Sequence, residues 1–250
     1  GSSLSNIAAL STLAGDYKKA EEIYFQAIEK QSKKLNPREY ANTVINIGQL
    51  YTLTGDYERA LQYQQEGIET LAEIVGTHHM DYAAAISTKA FLEVATGKYS
   101  DAIASLLKTL SIQQAIDDKH PETVSTIMLL GKAYLLSQDY KNAEATLKDA
   151  IHKAETLLGK QHDHYAEVLY LIGMLYHQKG NPSKAEDYYY QSLTAYKSLY
   201  SKDHPKYVTA LNSLGELYQT HKQYAKAQVC FTQATQASKN LFVATTDYMS

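Results

Sequence analysis

The chain has 250 residues, of which 44% are hydrophobic and 20% are charged, and its formal net charge is -3. This composition is typical of an ordinary globular protein, and its slightly acidic balance disfavours a nucleic-acid partner. The single cysteine, Cys230, excludes an intrachain disulfide and a cysteine-based metal cage, and no apolar run is long enough to predict a membrane span or a membrane partner.

Three short motifs recur along the chain with a period of about 42 residues. The first, Gly-x-Tyr-x-x-Ala or a variant of it, ends at Ala20, Ala60, Ala102, Ala143, Ala185 and Ala227. The second, Gly-x-x-Tyr, begins at Gly48, Gly131, Gly173 and Gly215. The third lies between repeats and begins at His79, His120, His162 and His204. A period shared by three separate motifs indicates a repeat architecture.

Each repeat is predicted to be a pair of helices. Apolar residues recur at helical spacing on both sides of the Gly-x-Tyr motif, its glycine ends one helix, and the Asp or Asn after it caps the next. In the first repeat the two helices flank Gly15. The first helices of repeats two to six are predicted at 38–53, 81–95, 121–136, 163–178 and 205–220. The second helices are predicted at 57–75, 99–117, 140–158, 182–200 and 224–241.

These motifs resemble the tetratricopeptide repeat. The sixth repeat carries the pattern most fully, at Leu214, Gly215, Tyr218, Ala227, Phe231 and Ala234. The fourth has Leu147 at the aromatic position, and the third has Ala90 and Glu93 in place of the glycine and tyrosine. The period exceeds the usual length of about 34 residues, and with His-Pro between repeats it resembles the kinesin light chain type. The resemblance implies an all-α fold, a right-handed tetratricopeptide superhelix (α-solenoid) of about six helix-turn-helix repeats.

The predicted array is a single domain over residues 4–250. Its approximate repeats are 4–36, 37–78, 79–119, 120–161, 162–203 and 204–245, and residues 1–3 are interpreted as a cloning remnant. The first predicted helix is short, and Thr246-Asp247-Tyr248 echoes Asp81-Tyr82, as if a seventh repeat began there. Both observations favour a segment of a longer polypeptide.

No catalytic, cofactor-binding or metal-binding site is predicted, and the chain is not expected to be an enzyme. Phosphate-binding, zinc-protease and nucleophile-elbow motifs are absent. Cys230 is interpreted as a small apolar filler. His162 and His164 would suit a metal ion, but a histidine that recurs every repeat is dispersed along a solenoid. The Tyr188–Tyr190 run lacks the basic stripe of a nucleic-acid surface.

The resemblance also implies a concave groove, lined by first-helix residues that do not pack within the repeat. By register these residues are Asn42, Ile45, Asn46, Gln49, Phe91, Met128, Lys132, Leu135, Tyr170, Met174, His177, Asn212 and Glu216. Apolar members lie in the middle repeats and polar members towards the ends, which is the distribution of a recognition surface. The alternative is that the extra helical turns bury these residues against a neighbouring helix.

The resulting prediction is a cytoplasmic protein-interaction module or scaffold that binds a peptide or helix of a protein partner. Relatives that hold a carboxylate have basic residues early in the first helix, whereas this chain has Asn42, Ala84, Ser125, Glu167 and Thr209 there. One alternative is the regulatory or sensor array of a multidomain enzyme, such as a caspase-like peptidase or a kinase. Another is a kinesin-light-chain-like cargo adaptor, which would need a flanking coiled coil.

Overall fold

The computed structural model describes residues 2–31 and 33–247, with side chains for 3–31 and 33–239. These residues form helices and no strand, so the all-α prediction is confirmed. The first helices of the repeats are α1 (Ser2–Leu13), α3 (Pro37–Thr54), α5 (Met80–Ala95), α7 (Glu122–Leu136), α9 (Asp163–Gln178) and α11 (Pro205–Thr220). The second helices are α2 (Tyr17–Lys30), α4 (Tyr57–Val75), α6 (Tyr99–Ile116), α8 (Tyr140–Lys153), α10 (Pro182–Leu199) and α12 (Tyr224–Asp247).

Most predicted helix boundaries agree with the structure to one residue, and the differences lie at three places. Helix α8 ends at Lys153, and a π-helical turn at Ala154–Leu158 completes the segment. Helix α12 continues through Thr246 and Asp247, so these residues do not begin a new helix as expected, and Tyr248 lies outside the described residues. Ser2 and Ser3, interpreted as a cloning remnant, are helical residues of α1.

The chain forms two compact units, Gly1–Leu129 and Leu130–Ser250. In the first unit, one apolar cluster joins α3, α4, α5 and α6 around Leu71 and Ile86, and another joins α1, α2, α3, α4 and α5 around Tyr24 and Ile47. In the second unit, the fully buried side chains include Tyr189 and Tyr196 of α10. Among the helices of the described residues, none combines the length and apolar character that crossing a membrane requires.

The turn inside the second repeat has the chemistry that its sequence predicts. Gly55 ends α3 with φ 83°, and Asp56 caps α4 by accepting a hydrogen bond from the backbone N–H of Arg59 at 3.1 Å. Repeats four and six lack the glycine, and Gln138 and Lys222 adopt positive φ of 64° and 59° in its place. Left-handed backbone is unfavourable for residues with a Cβ, so surrounding packing must hold these two turns.

The recurring histidines between repeats are helix caps. Nδ1 of His79 accepts a hydrogen bond from the backbone N–H of Asp81 at 3.1 Å, and His162 and His204 make the same bond two residues on. The bond satisfies one of the donors left free at a helix start. This role explains why a histidine recurs there without a metal ion.

A recurring tyrosine ties each of three first helices to the second helix of the preceding repeat. The hydroxyl of Tyr51 donates to Glu21 Oε1 at 2.5 Å, and the hydroxyl of Tyr176 donates to Glu144 Oε1 at 3.1 Å. The hydroxyl of Tyr218 makes the equivalent bond to Glu186 at 2.6 Å. The tyrosine, the preceding glutamate and the cation described next form what we call the tyrosine tie.

A basic residue eight positions after the tyrosine covers its ring. The guanidinium of Arg59 lies 4.2 Å from the centroid of Tyr51, and Lys184 and Lys226 lie 4.8 Å from Tyr176 and Tyr218. A cation over an aromatic face is attracted by the ring quadrupole. In each of these repeats the tyrosine tie therefore brings an aromatic ring, an acid and a base into contact.

We expect Glu144→Gln to flatten the acid dependence of stability. Hydrogen bonds from Lys148, then Lys179, hold the pKa of Glu144 at about 2, well below 4.5. A depressed pKa contributes stability that is present above about pH 4.5 and is lost as pH falls towards 2. The pairs are partly solvated, so the loss at pH 7 should be about 1 kcal/mol. Thermal melts between pH 7 and 2.5 measure it, and the exposed Glu73→Gln is the control. A variant whose pH curve matches that of the wild type would contradict the assignment.

Candidate functional site

Three predicted groove residues share one face of α9. Tyr170, Met174 and His177 are spaced four and three residues apart, which puts them on one side of the helix. All three are half-buried. Each therefore keeps part of its side chain in contact with solvent, so the alternative of complete burial does not describe them.

Tyr170 connects α9 to the next first helix and to the layer beneath. Its hydroxyl lies 3.0 Å from the hydroxyl of Ser213 in α11. Its ring centroid lies 5.9 Å from that of Tyr189, and Tyr189 also meets His177 edge to face at 6.4 Å. Tyr189 is only 1% exposed. A buried tyrosine thus supports two side chains that reach the surface.

Burial favours the neutral form of His177 and Tyr170. It lowers the pKa of His177, an effect opposed by Glu216 and reinforced by His221. It also raises the pKa of Tyr170. At neutral pH the face therefore presents a neutral imidazole and a protonated phenol, both able to donate and accept hydrogen bonds.

Helix α11 adds polar side chains beside this face. Asn212 and Glu216 are four residues apart and exposed. We call the set Tyr170, Met174, His177, Asn212, Ser213 and Glu216 the α9–α11 surface. It combines adaptable aromatic and thioether groups with amide, hydroxyl and carboxylate groups.

The remaining predicted residues fall into three classes. Asn42 and Gln49 of α3 are exposed, and the half-buried members are Asn46, Phe91, Met128 and Lys132. Ile45 and Leu135 are corrections, because both are buried. Ile45 packs with Ile68 and Leu71 in the first unit's core. Assigned by register to the groove, these two side chains instead form part of the hydrophobic packing.

One half-buried group in the second unit has the residue types of a metal site. Ligand atoms of Asp163, His164 and Glu167 lie within 4.8 Å of one another. Lys206 already forms ion pairs with both carboxylates, at 2.8 Å to Glu167 Oε2. The ammonium group of Lys206 thus neutralises the carboxylates as a metal ion would. The cluster is an ion-pair network, and we assign no metal chemistry to it.

The structure gives Ser213 and Tyr189 a role that the sequence did not predict, and it agrees with the role predicted for Cys230. Ser213 and Tyr189 belong to the α9–α11 surface or its support, although the repeat pattern assigned Tyr189 to packing alone. The contacts of Ser213 and Tyr189 with Tyr170 are visible only in the structure, because these residues are far from Tyr170 in the sequence. Cys230 is buried, and burial raises the pKa of its thiol, which suits a filler and not a nucleophile.

Comparison with known proteins identifies the repeat. The tetratricopeptide repeat model matches residues 1–73, 81–155, 153–198 and 164–240. The structure is similar to that of BtubC (BKLC) from P. vanneervenii, with a TM-score of 0.72 at 17% identity over 87% of this chain and 89% of that one.

Two further solved structures are similar. One is a signal transduction ATPase with numerous domains and a tetratricopeptide repeat sensor from Pyrococcus horikoshii, with a TM-score of 0.71 at 17% identity over 93% of this chain and 36% of that one. The other is a Rap protein in complex with Competence and Sporulation Factor, with a TM-score of 0.69 at 14% identity over 94% of this chain and 73% of that one.

These structural likenesses, at such low identity, establish the fold alone. No match to this chain was found among proteins of curated function. The family model, by contrast, covers most of the sequence. The chain therefore belongs to the tetratricopeptide repeat family.

Proposed function

We propose that the chain is a protein-interaction module that binds a peptide or helix of a protein partner on its first-helix side chains, with the α9–α11 surface as the main contact. The observation that carries this proposal is the half-buried row Tyr170, Met174 and His177 beside exposed Asn212 and Glu216. A row maintained only for packing would be buried completely, and a solvated face would be uniformly polar.

The chemistry of the surface suits a peptide. Tyrosine and methionine give large contacts that adapt to the shape of a partner. Asn212 and His177 can exchange hydrogen bonds with a peptide backbone, and Glu216 favours a neutral or basic segment. Asn42, which is exposed, and Phe91, which is half-buried, lie on first helices of the first unit and are proposed as partner contacts in their own right.

Alanine substitution of the anchors tests the proposal. Peptides are first selected for binding to the wild-type chain from a random library, and their affinities are measured by fluorescence anisotropy. Tyr170→Ala and Met174→Ala should each weaken binding about tenfold or more, because large anchors in partly desolvated sites carry about 1–2 kcal/mol or more each. Leu107→Ala, an exposed apolar residue on the second helix α6, is the matched control.

The result that would contradict the proposal is equally definite. If all selected peptides bind Tyr170→Ala and Met174→Ala with wild-type affinity while both variants retain helical circular dichroism, the α9–α11 surface is not the site. Peptides weakened only by Leu107→Ala would place recognition on the second helices.

A second candidate function is the sensor array of a multidomain protein. The structural similarity to the signal transduction ATPase favours it, because this chain spans only about a third of that protein. A catalytic domain in the parent reading frame would support this function, whereas a flanking heptad coiled coil would favour the kinesin-light-chain-like adaptor. In each case we propose that the chain itself acts in the cytoplasm as a binding element and not as the enzyme.

A further inference from the structure

The third repeat lacks the tyrosine tie, and all three of its members are replaced. Glu93 stands where repeats two, five and six have the tyrosine, and Asp101, eight residues later, stands where those repeats have the covering cation. The glutamate of the preceding second helix is replaced by Leu61. An acid thus replaces the tyrosine ring, an apolar side chain replaces the glutamate, and a second acid replaces the cation.

A cavity lies beside these three positions in the first unit. A space of about 280 Å³ opens between α4, α5 and the start of α6, with Tyr57, Leu61, Leu92 and Glu93 among its lining residues. Tyr57 and Leu61 remain about half exposed at its edge. The cavity is open to solvent on one side, and its wall combines these apolar side chains with two acids, Glu93 and Asp101, and two lysines, Lys89 and Lys98.

The carboxylate of Glu93 is an unusual part of that wall. The residue is only 7% exposed. Its Oε1 lies 3.3 Å from Nζ of Lys89, whereas its Oε2 is buried without a hydrogen-bond partner. An unmatched oxygen on a buried carboxylate is unfavourable unless a cation or donor reaches it. The terminal carboxylate torsion is soft, so this oxygen can turn towards a group in the cavity.

We propose that this cavity binds one lysine or arginine side chain of a partner protein. Its volume lies below the range of roughly 300–1,000 Å³ that is typical of small-molecule sites, and it suits a single long side chain. Tyr57, Leu61 and Leu92 would cover the aliphatic stem, while the charged end meets Glu93 and then Asp101 at the rim. The partner thereby supplies the cation that Arg59, Lys184 and Lys226 supply elsewhere within the chain.

This site is independent of the α9–α11 surface. It lies in the first unit, and none of the thirteen predicted groove residues lines it. Failure of one proposal therefore leaves the other unaffected, and each has its own variants.

Amide chemical shifts of the whole chain provide the test, with Nα-acetyl-arginine amide and Nα-acetyl-lysine amide as probes. Nα-acetyl-norleucine amide, which is neutral and of similar length, is the matched control. We expect saturable shifts at Leu92, Glu93 and Thr96 with the basic probes and binding at least tenfold weaker with norleucine. Glu93→Gln, which keeps the shape, should weaken the basic probes at least tenfold.

A second variant fills the cavity. Glu93→Tyr restores the repeat's tyrosine, and it should abolish binding without lowering the melting temperature. Asp101→Lys, an exposed change at the rim that should not affect folding, should weaken binding about tenfold and decides the matter if Glu93→Gln does not fold. The proposal is overturned if the basic probes cause no saturable shifts, if norleucine binds equally well, or if Asp101→Lys binds them as wild type does.

Discussion

Replacing Tyr189 by alanine should lower the free energy of unfolding by about 3–5 kcal/mol, the range for removing a large buried aromatic side chain. Its ring is 1% exposed on α10 and packs against Gly173 of α9. A Cβ at that glycine would lie 2.6 Å from Cδ1 of Tyr189, so the two helices meet where only a hydrogen fits. Alanine would leave a cavity that backbone contacts prevent from closing.

The neighbouring tyrosine provides the matched control. Tyr190 is 50% exposed, and its hydroxyl lies 3.1 Å from that of Tyr218. Tyr190→Ala should therefore cost less than about 1 kcal/mol. Urea unfolding followed by circular dichroism compares the two variants. Equal losses would show that Tyr189 does not have the packing role assigned to it.

Ile45→Ala should destabilise the first unit by about 2–5 kcal/mol. The side chain is 7% exposed and lies in one cluster with Ile68, Leu71 and Tyr82. Had it lined a groove, as its register suggested, truncation would have changed stability little. The substitution therefore tests the correction made above.

Gln49→Ala on the same helix serves for comparison. Gln49 is exposed, and its truncation should change the free energy of unfolding by less than about 0.5 kcal/mol. The midpoints of urea unfolding of the two variants measure this difference in stability. An Ile45 variant as stable as Gln49→Ala would return Ile45 to the candidate surface.

The fold was predictable because its signals are local and repeated. The six repeat alanines, of which Ala20 and Ala102 are examples, are all nearly or completely inaccessible, as close helix approach requires. Asp56 follows Gly55, so one residue ends a helix and the next caps another. Such signals depend on neighbours in sequence, and this explains why most helix boundaries agree to one residue.

The site was less predictable because it depends on neighbours in space. Register separates residues by helix face, but it does not distinguish the buried Ile45 and Leu135 from the solvent-accessible members of that face. The departure at Glu93 was visible in the sequence. The cavity beside Glu93 was not visible in the sequence, because its lining comes from three helices, with Leu61 on α4 and Asp101 on α6. The capping role of His79 likewise required the position of a backbone N–H.

Chemical-shift mapping of a library-selected peptide on the wild-type chain tests the recognition surface most directly. We predict that the largest perturbations fall on α9 and α11, at Tyr170, Met174, His177, Asn212 and Glu216, and that Tyr170→Ala removes them. Perturbations confined to the second helices α10 and α12, and unchanged by Tyr170→Ala, would contradict the proposal that first-helix side chains bind the partner.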